Sequence, residues 1–237
     1  MTVSKWLWAA LPIILLAIGL PLAASQGGDY RGWAFLGAMV LLAAELLAVG
    51  LLVNGRAIGA FIDNRNKISL SKLQAGAWTV LVLAALATVA VYNLVGQPEG
   101  SGTTDLNLSI PGELLLAMGI SATSLVAAPA LLSLKTDEGK STLERKDDAH
   151  DASWSDLVTG DELGNKDAPD LGKIQQVLIT LLLLGLYAGY VYILLSSSQA
   201  PIHDLPKLDP SFVWLLGISH AAYLSYKAAP HTPPAGT

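Results

Sequence analysis

The feature that most constrains this sequence is a series of apolar blocks, each about 20 residues long. A helix of that length spans the roughly 30 Å of hydrocarbon in a bilayer, at about 1.5 Å per residue. Inside hydrocarbon every backbone N–H and C=O has to be paired within the protein, so such blocks are expected to be helical. Charged residues make up only 14% of the chain, against about 25% in a typical soluble domain. We therefore predict an all-α, polytopic transmembrane helical bundle that occupies residues 1–237 as one membrane domain.

The apolar blocks predict six spans that pair as three hairpins. Their predicted boundaries are 6–24, 33–53, 73–95, 114–134, 174–195 and 212–226. The first block has a second interpretation. It follows a short segment that contains Lys5 and ends near the small residues Ala23 and Ala24, as a cleaved signal peptide would. Cleavage there would leave five spans.

The distribution of Lys and Arg predicts the orientation, because basic residues accumulate on the cytoplasmic side of membrane proteins. With both termini in the cytoplasm, only Arg31 and Lys207 fall outside. The other twelve fall inside: Lys5, Arg56, Arg65, Lys67, Lys72, Lys135, Lys140, Arg145, Lys146, Lys166, Lys173 and Lys227. We expect a multi-pass protein of a bacterial cytoplasmic membrane.

The last two predicted hairpins look like an internal duplication with units at about 69–134 and 170–230. Four residues near the start of the first unit recur 101 positions later in the second, and a Gly-Ile-Ser triplet recurs further on. The recurring residues are Leu70, Lys72, Gln74 and Thr79, matched by Leu171, Lys173, Gln175 and Thr180, with Gly119-Ile120-Ser121 matched by Gly217-Ile218-Ser219. Because both hairpins enter from the same side, the duplication would be a parallel repeat about an axis along the membrane normal.

The repeated opening is typical of a helix start. Ser69 and Asp170 are favourable N-cap residues, whose side-chain oxygens can accept a hydrogen bond from the first helical turn. Lys72 and Lys173 are expected to reach the cytoplasmic surface, and the two glutamines of the motif can link neighbouring helices. The alternative is a ligand or gate site built from the paired motifs.

Ionisable and hydroxyl side chains within the predicted spans are candidates for an ion or proton path. Glu45 lies near the middle of the second span, where an ionised carboxylate costs about 2.5–3.5 kcal/mol. His220 and Tyr223 share one face of the last span, and Tyr187 and Tyr190 lie in the fifth. These residues either form a relay across the bilayer or form a hydrogen-bonded seam that fixes helix packing.

Residues 135–173 form the one long polar segment, with six Lys or Arg and eleven acidic residues. The acidic residues are Asp137, Glu138, Glu144, Asp147, Asp148, Asp151, Asp156, Asp161, Glu162, Asp167 and Asp170. Because the segment has few apolar residues with which to build a core, we predict a flexible cytoplasmic loop. Metal binding and a docking surface for a partner protein are the alternatives, although the spacing of the carboxylates does not match an EF-hand.

Other classes of function lack their sequence signals. There is no cysteine, no phosphate-binding glycine loop, no dinucleotide fingerprint and no hydrolase or metalloprotease motif. We therefore predict no enzyme activity, no cofactor, no metal site and no nucleic-acid partner. Two hypotheses remain: a small, homo-oligomeric channel or transporter for ions or protons, and a non-catalytic membrane scaffold or accessory subunit that binds protein partners through its helices and the acidic loop.

Overall fold

The computed structural model describes residues 3–26, 28–95, 107–198, 200–229 and 231, and their side chains from Ala9 onward. Its six α-helices are α1 (Val3–Ala24), α2 (Asp29–Asn54), α3 (Leu70–Val95), α4 (Gly112–Asp137), α5 (Leu171–Ser197) and α6 (Pro210–Ala228). Short 3-10 helices occupy Ala57–Phe61, Ala149–Asp151 and Trp154–Leu157. No β-strand occurs within these ranges, so the all-helical prediction is confirmed.

Four helices, α2 to α5, are long and apolar enough to cross a membrane. Each has 26 or 27 residues, a length of about 40 Å at 1.5 Å per residue. Helix α1 contributes a shorter apolar helix over Ala9–Ala24. Helix α6 has 19 residues, and Ser211, Ser219, His220, Ser225 and Lys227 lower its apolar content. The crossing of α1 and α6, and with it the count of six spans, stays a prediction.

Large apolar side chains cover the outer faces of α2 to α6. Exposed examples are Leu47, Val53, Leu83, Leu116, Val126, Leu181, Ile193 and Ile218. Soluble monomers rarely expose apolar patches larger than a few hundred Å². This exterior therefore suits contact with lipid rather than with water.

The helices alternate in direction between two ends of the molecule. At one end, which we call the charged end, Lys135, Lys173 and Lys227 from α4, α5 and α6 pair with carboxylates of the segment that joins α4 to α5. At the opposite end, Ser109 N donates to His203 O over 2.7 Å. The segments before α4 and after it thus lie at opposite ends, as the hairpin prediction requires.

Helices α3 to α6 form a four-helix bundle in which α3 packs on α4 and α5, and α6 packs on the same two helices. Helix α2 packs outside this bundle against α3 and α5, and α1 packs against α2 and α3. On α4, α5 and α6 buried residues recur every three or four positions, which places one stripe of each helix against the bundle interior. Helix α3 is buried over a wider face, because α1 and α2 also pack on it. These stripes hold the candidate site.

Candidate functional site

The buried stripes of α3 to α6 are polar from the charged end to about the middle of the bundle. We call this set of buried side chains the polar column: Ser71, Gln74, Trp78, Ser121, Ser124, Gln176, Thr180, Ser219, His220 and Tyr223. Polar side chains inside a membrane protein are costly unless they bond to one another, to water or to a ligand. A column of ten on neighbouring helices is therefore the first candidate for a functional feature.

Side-chain hydrogen bonds join neighbouring helices within the polar column. Ser124 Oγ on α4 lies 2.5 Å from His220 Nδ1 on α6. Gln74 Nε2 on α3 donates to Thr180 Oγ1 on α5 over 2.7 Å. The first hydrogen bond joins α4 to α6, and the second joins α3 to α5.

Most of the hydrogen-bonding capacity of the polar column is nevertheless unused. Among the described residues, seven of its buried polar atoms have no hydrogen-bond partner: Gln74 Oε1, Trp78 Nε1, Ser121 Oγ, both side-chain amide atoms of Gln176, Ser219 Oγ and His220 Nε2. Buried polar atoms in proteins are nearly always satisfied, by protein or by ordered water. The column therefore has the chemistry of a binding surface for water or for a small polar solute.

Beyond the middle of the bundle the buried side chains are mainly apolar, and the hydroxyl of the buried Thr88 donates to Ala84 O of its own helix. The buried apolar side chains there are Leu81, Ala85, Val89, Leu114, Ala117, Leu183, Val191, Leu195 and Leu216. This packed layer separates the polar column from the opposite end. The bundle is therefore polar on one side of its midpoint and closed on the other.

The residues predicted to form an ion or proton path lie in separate parts of the molecule and do not follow one line across the bundle. His220 and Tyr223 belong to the polar column. Tyr187 instead donates its hydroxyl to Pro206 O over 3.1 Å at the opposite end, and Tyr190 is 52% exposed on the outer surface. Glu45 lies on α2, outside the four-helix bundle, and its buried Oε2 has no hydrogen-bond partner among the described residues.

The predicted helix starts are seen at both repeated motifs, since α3 begins at Leu70 and α5 at Leu171. Lys72 N donates to Ser69 Oγ over 3.4 Å, and Lys173 N donates to Asp170 Oδ1 over 3.0 Å. The later positions of the motif differ in environment.

Gln74 is buried but Gln175 is exposed, and its neighbour Gln176 is the buried glutamine. Gly119 has open space around it, whereas Gly217 faces Ile120. Ser121 and Ser219 are both buried in the polar column. The internal repeat stays a prediction.

At the charged end, Asp161 binds three cations from three parts of the chain. Its carboxylate pairs with Arg65 at 3.0 Å, with Lys173 at 3.2 Å and with Lys227. We call these four residues the Asp161 clasp. Burial by itself would raise the pKa of Asp161, but the charges of Lys227, Lys173 and Arg65 outweigh burial and hold that pKa well below its usual range. The carboxylate is therefore ionised at neutral pH.

The segment between α4 and α5, predicted as a flexible solvated loop, is packed against the charged end. Arg56 donates to Ala149 O over 2.5 Å, and Ile68 N donates to an Asp156 oxygen over 3.1 Å. Lys135 Nζ lies 2.5 Å from Glu162 Oε1. The low apolar content of the segment does not indicate this packing, which comes from buried ion pairs and hydrogen bonds together with a small apolar cluster that contains Ala152 and Leu157. Lys173 is likewise buried and paired instead of reaching solvent.

An open cavity of about 280 Å³ lies beside the clasp, between the start of α3 and the ends of α4 and α6. We call it the charged cavity. Its charged lining residues are Asp63, Arg65, Lys72, Asp161, Lys173 and Lys227. Its apolar wall comes from Leu125, Ala128, Pro129 and Leu132 of α4. Tyr223 belongs to both the cavity wall and the polar column, so the two features adjoin.

Within the described residues, no group of His, Asp and Glu side chains has an arrangement that could hold a metal ion. Comparisons with known proteins give no further indication of function. No protein-family model matches the chain, and neither a curated protein nor a solved structure matches it.

Proposed function

We propose that this protein is a small membrane transporter or channel that moves protons or small ions through the α3–α6 bundle. The polar column supports the proposal, because seven of its polar atoms, inside a single bundle, have no hydrogen-bond partner among the described residues. Membrane transport sites are built from such inward-facing polar groups near the middle of the bilayer. The proposal does not require the predicted homo-oligomer, because one copy of the chain already contains the polar column.

The apolar layer beyond the polar column suits a path that is closed in this conformation. Hydrophobic constrictions can gate membrane proteins by excluding water, and transporters expose a central site to one side at a time. His220 is the titratable side chain that reaches furthest toward this layer along α6, and its Nε2 is free among the described residues. We assign it the role of accepting and releasing a proton, with Ser124 fixing the orientation of its ring.

The excess of Lys and Arg supports a cytoplasmic position for the charged end. The polar column then lies on the cytoplasmic side of the bundle, next to the charged cavity. Both chain termini would be cytoplasmic, and the membrane would be the bacterial cytoplasmic membrane.

Flux measurements in proteoliposomes test this proposal. Purified protein is reconstituted with a pH-sensitive dye inside, and proton entry is followed after a potential or a pH gradient is applied. We expect His220→Gln to lower the flux at least tenfold, because glutamine can still bond to Ser124 but cannot take up a proton. Parallel assays with Na⁺, K⁺ and Cl⁻ gradients identify the transported ion.

Two matched variants serve as controls. Tyr190→Phe removes an exposed hydroxyl from the same membrane domain and should leave the flux unchanged. Glu45→Gln should also leave it unchanged if the path runs through the α3–α6 bundle, whereas a loss of flux would move the path to α2. Wild-type protein that carries none of these ions would contradict the proposal.

A further inference from the structure

The lining of the charged cavity has a surplus of positive charge. Its lining contains four cationic side chains, Arg65, Lys72, Lys173 and Lys227, and two carboxylates, Asp63 and Asp161. The lining therefore has two more positive than negative charges. Surplus charge in a partly buried site is unfavourable unless an anion binds there.

The cations differ in how much hydrogen-bonding capacity the protein leaves them. Lys173 Nζ already donates to Asp156 O and Thr159 O and pairs with Asp161. Lys72 Nζ donates to one described acceptor, Ile62 O, at 2.7 Å. Lys227 Nζ has one described hydrogen bond, to Asp161, and lies 4.9 Å from the centre of the Tyr223 ring. An ammonium group has three donors, so Lys72 and Lys227 each keep donors that no described residue accepts.

The position and shape of the charged cavity limit the class of ligand. The cavity opens at the charged end, and its apolar wall is formed by the part of α4 nearest that end. An anion bound there would place its charge on the lysines and an apolar extension along α4. The volume of about 280 Å³ exceeds what a bare phosphate ion needs and suits a phosphate carried on a larger group.

We propose that the charged cavity binds the phosphate of a phosphate ester, with Lys72 and Lys227 as its principal donors. The anionic headgroup of a membrane phospholipid and a soluble phosphate are the two sources of this chemistry. Basic pockets between transmembrane helices on the cytoplasmic side are known to hold phospholipid headgroups. This proposal does not rest on the transport function, since it concerns the charge of the cavity and not the polar column.

Native mass spectrometry and thermal unfolding test the site on the full chain. Protein in neutral detergent is mixed with phosphatidylglycerol, with phosphatidylcholine or with inorganic phosphate. We expect phosphatidylglycerol to be retained in a one-to-one complex and to raise the unfolding temperature, and phosphatidylcholine to do neither. An effect of inorganic phosphate at millimolar concentration, without an effect of phosphatidylglycerol, would assign the site to a soluble phosphate.

Variants at Lys72 show whether the binding occurs in the charged cavity. We expect Lys72→Gln to weaken binding about five- to tenfold, as loss of one charge-assisted contact does, and Lys72→Arg to retain it. The matched control is Lys140→Gln, which removes an exposed lysine that pairs with Glu138 outside the cavity. Equal retention of phosphatidylglycerol and phosphatidylcholine by the wild type, with no effect of phosphate, would overturn the proposal. Unchanged binding in Lys72→Gln would do the same.

Discussion

Asp161 and Lys227 form a buried ion pair that joins the segment after α4 to the end of α6, 66 positions further along the chain. Asp161 also binds Lys173 at the start of α5 and Arg65 in the connection between α2 and α3. One carboxylate thus holds together parts of the chain that are distant in sequence. The charged end of the bundle is thus joined by this carboxylate as well as by an apolar cluster that includes Ala152 and Leu157.

We expect Asp161→Asn to destabilise the protein by about 3–5 kcal/mol, because the change leaves the buried Lys173 and Lys227 without their counter-ion, although Arg65 keeps Asp63. Thermal unfolding in detergent, followed by intrinsic tryptophan fluorescence, measures the loss. The matched control is Asp147→Asn, the same chemical change at an exposed position of the same segment. Equal unfolding temperatures for the two variants would show that the Asp161 clasp contributes little.

The clasp should persist in mild acid. Since the pKa of Asp161 in the folded protein is well below the ordinary value of 3.8, its contribution is fully present above that value and is lost as the pH falls through the lower, folded value. We expect the difference in unfolding temperature between wild type and Asp161→Asn to be the same at pH 7 and pH 5. A difference that disappears between pH 7 and pH 5 would contradict the depressed pKa.

The helices of this fold could be predicted from sequence, whereas the charged end could not. Apolar blocks near 20 residues are limited to helices by the hydrogen-bonding demands of lipid. Composition does not show that Asp161 and Glu162 would pair with lysines on three helices, because those pairs depend on the packing of distant segments. The sequence therefore predicts that Lys173 lies at the surface, although it is buried.

The candidate site could be predicted only in part, because it also depends on how distant segments pack. His220 stands out in sequence because an imidazole within an apolar span is rare. Ser121, Gln176 and Ser219 do not stand out, since single hydroxyl and amide groups are common in membrane helices. Only the packing of α3 to α6 places them together in one column. Glu45, the most conspicuous residue in sequence, lies outside that column.

The close contact between α2 and the 57–61 helix gives a test of packing. A Cβ atom on Gly50 would lie 2.4 Å from Ala57 O and 2.8 Å from Gly59 N, which are backbone atoms that cannot rotate away. We expect Gly50→Ala to destabilise the protein by about 1–3 kcal/mol. Gly37→Ala in the same helix is the control: its Cβ would meet nothing within 4 Å, and it should be neutral or slightly stabilising. A similar response from both variants would contradict this contact.

Reactivity of introduced cysteines can show whether the polar column is hydrated and from which side. The chain has no cysteine, so Ser71→Cys and Ala85→Cys each provide one thiol on α3. A thiol reacts as its thiolate, which forms in contact with water but is suppressed in apolar surroundings. We therefore expect a small charged methanethiosulfonate reagent to modify Ser71→Cys at least tenfold faster than Ala85→Cys.

In sealed vesicles of known orientation the reagent should reach Ser71→Cys from the cytoplasmic side alone. Equal rates at the two positions would remove the distinction between a polar and an apolar half, and faster reaction from the other side would reverse the orientation inferred from Lys and Arg.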